Sequence, residues 1–261
     1  MNVLILAGGF GTRMYPLTKD LPKALIKIKG KPVIEYILEQ LNNTKDIEIV
    51  YIFSNNKFYI NFIEWLDSFK KRAELSKKIK IINNGVNNEN EKKGALQDFA
   101  FAISSMIIKN KENLLVMSSD DLFEFDLREL FYFSKRKNSS VVALKMLDKE
   151  EIKKFSCVLL DENNRITYFE EKPENPISNI CATACYFIIK EDIEKLRIAI
   201  DKELNKDKLG YILKLLIENS KIYGKIFESS SLVRIGELNL FQNFPFLGCR
   251  KDNFDPLFKS G

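Results

Sequence analysis

The chain has 261 residues, of which 45% are hydrophobic and 30% are charged, a balance typical of a globular protein and not of a disordered or fibrous one. Its 41 Lys and Arg residues exceed its 36 Asp and Glu residues by five, which suits phosphate binding but argues against a protein that coats nucleic acid. The chain contains no His, which excludes imidazole bases, Ser-His-Asp and Cys-His nucleophiles, and His-ligated zinc or haem.

The cysteines and the N-terminal residues predict a protein of the reducing cytoplasm. Four Cys in a chain of this length make no disulfide framework. Cys181 and Cys185 lie among small or apolar neighbours, so we interpret them as buried thiols, with a metal site as the alternative. The first residues lack the basic region of a signal peptide, and no apolar stretch approaches the ~18 residues that span a bilayer. We therefore expect no membrane partner.

Buried strands and amphipathic helices alternate through the first part of the chain. Short apolar or β-branched runs predict strands at residues 3–7, 47–53, 79–82, 114–117 and 141–144. Apolar residues at steps of three or four predict helices within residues 33–41, 58–69, 95–107 and 127–134. This alternation predicts an α/β fold with a Rossmann-like, mostly parallel sheet flanked by helices, which binds ligands at the C-terminal ends of its strands.

The pattern changes after about residue 145. Residues 157–160 and 166–169 predict a hairpin, residues 182–189 another strand, and residues 191–219 two amphipathic helices. Because no repeat or flexible linker interrupts the chain, we predict a single domain over residues 1–261. Its nucleotide-side half covers about residues 1–145, its substrate-side half about residues 146–240, and its C-terminal tail residues 241–261. The tail is rich in Phe, which is compatible with a homo-oligomer interface.

Three of the eleven glycines follow the first strand within four positions: Gly8, Gly9 and Gly11. Glycines let the backbone approach a phosphate closely, although a tight strand-to-helix turn would also use them. The loop lacks the Gly-Lys-Ser/Thr ending of a P-loop, and Met14 replaces the third glycine of the dinucleotide fingerprint, which disfavours a nicotinamide-dependent oxidoreductase. Arg13 and Lys23 add a guanidinium and an ammonium near the loop. Together these residues predict a site for a phosphate chain.

The segment from Leu6 to Lys23, LAGGFGTRMYPLTKDLPK, with Lys31-Pro32 beyond it, resembles the opening signature of the sugar-1-phosphate nucleotidylyltransferases, and most closely that of the glucose-1-phosphate thymidylyltransferases. Weaker similarities continue to about residue 240: Lys93-Gly94-Ala95, Ser119-Asp120-Asp121-Leu122-Phe123, Glu170-Glu171-Lys172-Pro173, Tyr186-Phe187 and Ile235-Gly236. The resemblance implies the GT-A-like nucleotidyltransferase fold with a smaller sugar-binding subregion. It also implies transfer of a nucleotidyl group from a nucleoside triphosphate, with dTTP or UTP preferred, to a sugar 1-phosphate.

The same resemblance implies a role for each matching residue. It assigns nucleotide binding to Leu6, Ala7, Gly8, Gly9, Gly11, Thr12 and Gly94, and Asn83 and Asn84 are further candidates for contact with the base edge. It makes Arg13, Lys23 and Asp120 catalytic: Arg13 neutralises the leaving pyrophosphate, Lys23 holds phosphate oxygens at the reacting centre, and Asp120 holds Mg²⁺ as the cofactor. Substrate binding falls to Lys172 at the sugar phosphate, Glu171 at sugar hydroxyls, and Tyr186. As an alternative, Asp120 and Asp121 cap a helix that begins at Leu122.

Three positions depart from the family's pattern. Arg234 stands where the family has an Asp as a second metal ligand, Ser156 stands near the place of a glycine, and Ser119-Asp120-Asp121 replaces Gly-Asp-Asn. These changes leave the nucleotide loop intact but affect the metal site. Arg234 favours one alternative to the enzyme hypothesis, a non-catalytic homologue that binds a nucleotide or nucleotide sugar. Because the sequence does not name the base or the sugar, a cytidylyltransferase acting on choline phosphate or another phosphorylated alcohol is a second alternative.

Overall fold

The computed structural model describes residues 1–42, 44–73, 76–91, 94–106, 112–123, 125–200, 210–228 and 232–234. Its strands are β1 (Asn2–Leu6), β2 (Lys27–Ile28), β3 (Lys31–Pro32), β4 (Ile49–Ser54), β5 (Lys78–Asn83), β6 (Leu114–Ser118), β7 (Asp121–Phe123), β8 (Val141–Met146), β9 (Ser156–Leu160), β10 (Ile166–Glu171), β11 (Ile180–Ile188), β12 (Tyr223–Phe227) and β13 (Leu232–Arg234). Its helices are α1 (Val33–Asn42), α2 (Asn56–Arg72), α3 (Ala95–Met106), α4 (Leu127–Lys137), α5 (Lys149–Ile152), α6 (Lys190–Ile200) and α7 (Tyr211–Asn219). Short 3₁₀ turns cover Thr12–Met14, Lys23–Leu25 and Glu89–Glu91.

Within these ranges, nine strands form one sheet with the path β10-β9-β11-β6-β1-β4-β5, and β8 lies between β11 and β12. Strand β1 runs parallel to β4 and β6, and β4 runs parallel to β5, as the alternation of elements predicts. Strand β11 runs antiparallel to β6, β8 and β9, which joins the second part of the chain to the same sheet. The predicted α/β fold with a central, mostly parallel sheet flanked by helices is confirmed.

Helices cover both faces of the sheet, which explains why its central strands β1, β4 and β6 are mostly apolar and do not alternate with exposed polar residues. Along β1, Val3 and Ile5 point into the core beneath α1, α2 and α4. Leu4, between them, points into the opposite core beneath α3, α6 and α7. All three side chains are fully buried. This two-sided burial fixes the positions of the strand ends, where the loops begin.

The predicted hairpin is confirmed as β9 and β10, which pair antiparallel. Its turn is closed by the Asp161 carboxylate, which accepts hydrogen bonds from the backbone N–H groups of Asn163 at 2.9 Å and Arg165 at 2.8 Å. Asn164 adopts a φ of 64°, a conformation that Asn tolerates better than most residues. The predicted tail, residues 241–261, lies outside the described residues.

Sequence analysis did not predict three short pairings: β2 with β3, β12 with β8, and β7 with β13. The last of these corrects the interpretation of Asp120 and Asp121 as a helix cap, because Asp121 opens β7. The cap of the next helix, α4, is Asp126, whose side chain accepts from the Arg128 N–H at 2.9 Å. Among the described helices, none combines the length and apolar character needed to cross a membrane.

Candidate active site

The glycine loop begins where β1 ends. Three parallel strands, β1, β4 and β6, have their C-terminal ends side by side at this place in the sheet. Leu6 pairs in register with Phe53 on β4 and with Ser118 on β6. The Ala7 N–H donates to the Phe53 carbonyl at 2.8 Å, and the Ser119 N–H donates to the Leu6 carbonyl at 3.2 Å. The loop and the Asp120 segment therefore leave the sheet side by side, at the edge where open α/β sheets bind ligands.

Local geometry disfavours a side chain at two of the three loop glycines. A Cβ at Gly8 would lie 3.2 Å from Asp98 Oδ2 and 3.5 Å from the Phe53 ring. Gly11 has a φ of 67°, and its carbonyl accepts a hydrogen bond of 2.7 Å from the Thr18 hydroxyl. Gly9 is exposed, with no atom within 4 Å of a Cβ placed there, so its backbone is open to a ligand.

Asn55 holds the base of the loop, and sequence analysis missed it. Its side-chain amide donates to the Gly8 carbonyl at 3.0 Å, while its Oδ1 accepts from the Phe58 N–H at 2.9 Å and caps α2. An Asn directly between a strand and an amphipathic helix is a helix-cap signal that could have identified it. Next to the loop, the Asn84 amide donates to Asp98 Oδ1 at 3.1 Å.

The predicted catalytic residues Lys23 and Asp120 lie in direct contact. Lys23 Nζ is 2.5 Å from Asp120 Oδ2, and their side chains are 15% and 27% exposed. Arg13 is exposed on the 3₁₀ turn that follows Gly11, and its guanidinium makes no hydrogen bond or ion pair with any described residue. Thr12 lies beside it, with its hydroxyl 3.3 Å from Glu89 Oε1. Lys23 is thus paired with Asp120 inside the candidate site, whereas the Arg13 side chain is exposed at its rim.

The neighbour of Asp120 has a very different environment. Asp121 is fully buried, and its backbone in β7 pairs in register with Arg234 in β13. Burial, together with the nearby Asp121 charge, raises the pKa of the Cys185 thiol, which stays protonated at neutral pH. Within the described ranges, no three Asp, Glu or Cys residues cluster to form a metal cage. The donor set still fits Mg²⁺, which often binds proteins through one carboxylate and takes its other oxygens from phosphates and water.

The predicted sugar-binding residues lie at the end of β10. Glu171 pairs in register with Ser156 on β9, Ser156 pairs with Ala182 on β11, and β11 runs antiparallel to β6. This register places Glu171 at the same sheet edge as Asp120.

Lys172 adopts an unusual backbone conformation. Its φ is 53°, although a non-glycine residue before a proline normally has an extended backbone. The Lys172 N–H donates to the Phe155 carbonyl at 2.7 Å and holds the chain in this sharp turn. The Lys172 side chain is exposed. Strained residues of this kind concentrate at binding and catalytic sites, so the conformation supports a functional role for Lys172.

The other predicted site residues take varied positions. The Asn83 amide donates to Asn56 Oδ1 at 2.6 Å, and its own Oδ1 accepts from the Gly85 N–H at 2.8 Å. Gly94 is buried directly before α3, with a φ of 91°. Tyr186 is 3% exposed and packs in the core beneath α3 and α6. The geometry therefore brings Arg13, Lys23 and Asp120 to the glycine loop, while the substrate role of Tyr186 stays a prediction.

Comparison with known proteins identifies the family of this chain. Residues 2–236 match the family model described as nucleotidyl transferase. The chain belongs to this family. The match contains the glycine loop, Lys23, Asp120, Glu171 and Lys172, so these candidate residues all lie within it.

The curated relatives are longer than this chain. It is 29% identical over 226 residues to the bifunctional protein GlmU of Methanocaldococcus jannaschii, an alignment that covers 86% of this chain and 48% of GlmU. It is 28% identical over 207 residues to mannose-1-phosphate guanylyltransferase 1 of Arabidopsis thaliana, with 78% of this chain and 55% of the relative covered. The chain therefore spans about half the length of the curated relatives it matches.

Solved structures of the family share the fold. A protein from Bacillus anthracis described as a glucose-1-phosphate thymidylyltransferase superimposes with a TM-score of 0.75 at 20% identity, covering 93% of each chain. A UDP-glucose pyrophosphorylase in complex with UDP-glucose superimposes with a TM-score of 0.73, also at 20% identity, covering 92% of this chain and 95% of the other. At this identity the likeness establishes the nucleotidyl transferase fold and leaves the substrates open.

Proposed function

We propose that this protein transfers a nucleotidyl group from a nucleoside triphosphate to a sugar 1-phosphate, which yields a nucleoside-diphosphate sugar and pyrophosphate. The observation that carries the proposal is the contact between Lys23 and Asp120 beside the glycine loop, with the carboxylate 2.5 Å from the ammonium. Membership of the nucleotidyl transferase family supports it. A cation and a carboxylate at one strand edge supply the charges needed to bind a phosphate and its counter-ion.

The reaction needs no side-chain base. A phosphate oxygen of the sugar 1-phosphate attacks the α-phosphorus, and the bond between the α-phosphorus and its bridging oxygen breaks as pyrophosphate leaves. Because the attacking oxygen is already an anion, catalysis rests on positioning and on neutralisation of charge. The absence of His from the chain is compatible with this chemistry.

Each group has one task in the proposed reaction. The backbone of the loop from Gly8 to Thr12 holds the triphosphate, while Asn83 and Gly94 lie towards the base and ribose. Arg13 neutralises the pyrophosphate as its charge grows, and Lys23 holds oxygens at the reacting phosphorus. Lys172 binds the phosphate group of the sugar 1-phosphate, and Glu171 accepts a hydrogen bond from a hydroxyl of the sugar.

Asp120 would hold a magnesium ion that arrives with the triphosphate. Such an ion supplies positive charge next to phosphate oxygens when bound. In the protein alone, Lys23 occupies one oxygen of Asp120, so metal binding requires this ammonium to share the carboxylate or to move to the phosphates. We therefore expect weak affinity for Mg²⁺ without nucleotide and stronger affinity with it.

The choice of base and sugar belongs to this proposal. We favour dTTP or UTP with a hexose 1-phosphate, on the resemblance of the glycine segment. Relatives described as guanylyltransferases and adenylyltransferases show that the family as a whole accepts several bases. The three described cysteines are free thiols, which fits a reducing compartment, and we place the reaction in the cytoplasm.

The test is pyrophosphate release from a panel of dTTP, UTP, CTP, GTP and ATP, each paired with several hexose 1-phosphates and with choline phosphate. Turnover with one triphosphate and one hexose 1-phosphate is the expected result. Turnover only with CTP and choline phosphate would replace the sugar by a phosphorylated alcohol. No turnover with any pair would overturn the proposal.

One observation favours a second candidate function. Arg234 pairs in register with Asp121, at a position where the resemblance leads us to expect a carboxylate that binds metal. A homologue that binds nucleotide without catalysis would tolerate that substitution. Calorimetric titration separates the two functions: clear triphosphate binding without pyrophosphate release from any pair identifies the non-catalytic homologue.

A further inference from the structure

The carboxylate of Glu171 lies against two residues from other parts of the chain. The Ser156 hydroxyl on β9 donates to Glu171 Oε2 at 2.5 Å. Gly210, the residue that precedes α7, lies next to the same oxygen. A Cβ placed on Gly210 would overlap Glu171 Oε2 and lie 3.1 Å from the Ser156 Oγ. The carboxylate therefore fits in this place because residue 210 has no side chain.

The two oxygens of this carboxylate have different surroundings. Oε2 contacts Ser156 and Gly210, whereas Oε1 makes no hydrogen bond with any described residue. Glu171 is partly exposed, and Oε1 is not a buried atom without a partner. A carboxylate oxygen that is accessible and unoccupied can accept a hydrogen bond from a ligand hydroxyl.

We propose that Ser156 and Gly210 are positioning residues, which fix the Glu171 carboxylate so that only Oε1 accepts a hydroxyl of the sugar 1-phosphate. This inference rests on the proposed function. A fixed carboxylate selects strongly, because a site built to bind one hydroxyl rejects an analogue that lacks it. Ser156 and Gly210 thereby help to determine which sugar the protein accepts.

Gly210 offers an unusual test because its replacement need not damage the fold. Its φ of −55° and ψ of −21° are helical, so Ala adopts the same backbone without strain. The atoms that an added methyl group meets are the ends of the Glu171 and Ser156 side chains, which can move. We expect Gly210→Ala to fold with a stability close to that of wild type, because the gain from restricting the unfolded chain opposes the loss of a glycine at the N-cap of α7.

The experiment compares wild-type protein with Ser156→Ala, Ser156→Thr, Gly210→Ala and a matched control, Ser178→Ala. The Ser178 hydroxyl donates to the Val158 carbonyl at 2.6 Å on the same hairpin and does not contact Glu171. KM and kcat are measured with the best hexose 1-phosphate from the panel and with its monodeoxy analogues, one for each hydroxyl. Triphosphate affinity is measured by calorimetry.

We expect Ser156→Ala and Gly210→Ala to raise KM for the sugar phosphate about tenfold, which corresponds to one weakened hydrogen bond to a charged group. Triphosphate affinity should not change, Ser156→Thr should restore KM, and Ser178→Ala should leave it unaltered. With the one deoxy analogue that lacks the recognised hydroxyl, the effect of both substitutions should disappear.

Two results would overturn the inference while wild-type turnover is intact: an unchanged KM in both variants, or an increase that persists with every deoxy analogue. Absence of wild-type turnover would instead refute the proposed function, and this inference with it.

Discussion

Lys23 Nζ lies 2.5 Å from Asp120 Oδ2, although the two residues are 97 positions apart in the chain. Each comes to the pair from a loop at the C-terminal edge of the sheet, Lys23 from a 3₁₀ turn and Asp120 from the segment between β6 and β7. Neither side chain is fully buried, so the pair is open to a ligand. Because phosphate competes for the ammonium and a cation competes for the carboxylate, substrate binding must redistribute this contact.

Asp120→Asn is expected to abolish Mg²⁺-dependent turnover, because the amide keeps the shape of the carboxylate but loses its charge. Calorimetric titration of Mg²⁺ into the protein with bound triphosphate should show the lost affinity independently of turnover. Asp126→Asn is the matched control, since Asn caps α4 as well as Asp does and lies outside the site. If Asp120→Asn retains wild-type metal dependence, the assignment is wrong, and Asp121 or Asp98 becomes the next ligand to test.

Arg13→Ala should lower kcat by about 10²–10³ while changing triphosphate affinity much less, because the pyrophosphate gains charge mainly in the transition state. Steady-state kinetics at saturating substrates, with calorimetry of the triphosphate, measure the two effects separately. Lys19→Ala is the control, since it removes another exposed positive charge from the same loop. A loss of tenfold or less in kcat would remove Arg13 from the catalytic residues.

Lys172→Ala should raise KM for the sugar phosphate about 10- to 100-fold, because a hydrogen bond to a charged group contributes about 1.5–3 kcal/mol. Triphosphate affinity should stay unchanged, because Lys172 lies at the end of β10, away from the glycine loop. Lys172→Gly removes the same ammonium but accepts the φ of 53°, so it separates the loss of charge from the release of strain. A large drop in triphosphate affinity in either variant would show that Lys172 is misassigned.

Much of the fold could be predicted from the sequence because both faces of the sheet are buried. Apolar runs such as residues 114–117 and helical spacings such as residues 58–69 therefore marked their elements clearly. The pairing of β7 with β13 could not be predicted. Each of these two strands has only three residues, and the residues that pair with each other are more than 100 positions apart in the chain. Short strands of this kind form because the surrounding fold brings them together, and they carry little periodicity of their own.

Residues of the candidate site could be predicted only where they stand close together in a sequence motif. Gly8, Gly9, Gly11 and Arg13 stand within six positions of the chain, so their association was visible in the sequence. The contacts of Ser156 and Gly210 with Glu171 were not visible in the sequence. These two residues are 15 and 39 positions from Glu171 and meet it only in the folded chain. A lone glycine before a helix has many explanations until its neighbours are known.

An ion pair between a buried carboxylate on α1 and a half-exposed guanidinium on α2 predicts a measurable effect on stability. The Glu35 side chain is 2% exposed, pairs with Arg72 and accepts a hydrogen bond of 2.8 Å from Trp65 Nε1. Glu35→Ala leaves the indole N–H without its partner, so we expect the free energy of unfolding to fall by about 2 kcal/mol. Urea unfolding followed by fluorescence reports on Trp65 directly, since it is the one Trp of the chain. Glu35→Gln retains an acceptor and should lose less; equal stability of the Ala variant and wild type would contradict the prediction.

Arg234→Asp should tighten Mg²⁺ binding, because the register of β13 with β7 pairs residue 234 with Asp121, the chain neighbour of Asp120. A positive charge there repels a cation, while a carboxylate would add a ligand for it. Arg234→Gln is the matched variant, since it removes the charge without adding a carboxylate. We expect Arg234→Asp to bind Mg²⁺ at least about tenfold more tightly than Arg234→Gln, a difference of about 1.4 kcal/mol in binding free energy. Metal titrations of the three proteins without nucleotide measure this difference. Equal affinities of the Asp and Gln variants would show that relief of repulsion is the whole effect and that position 234 cannot supply a metal ligand.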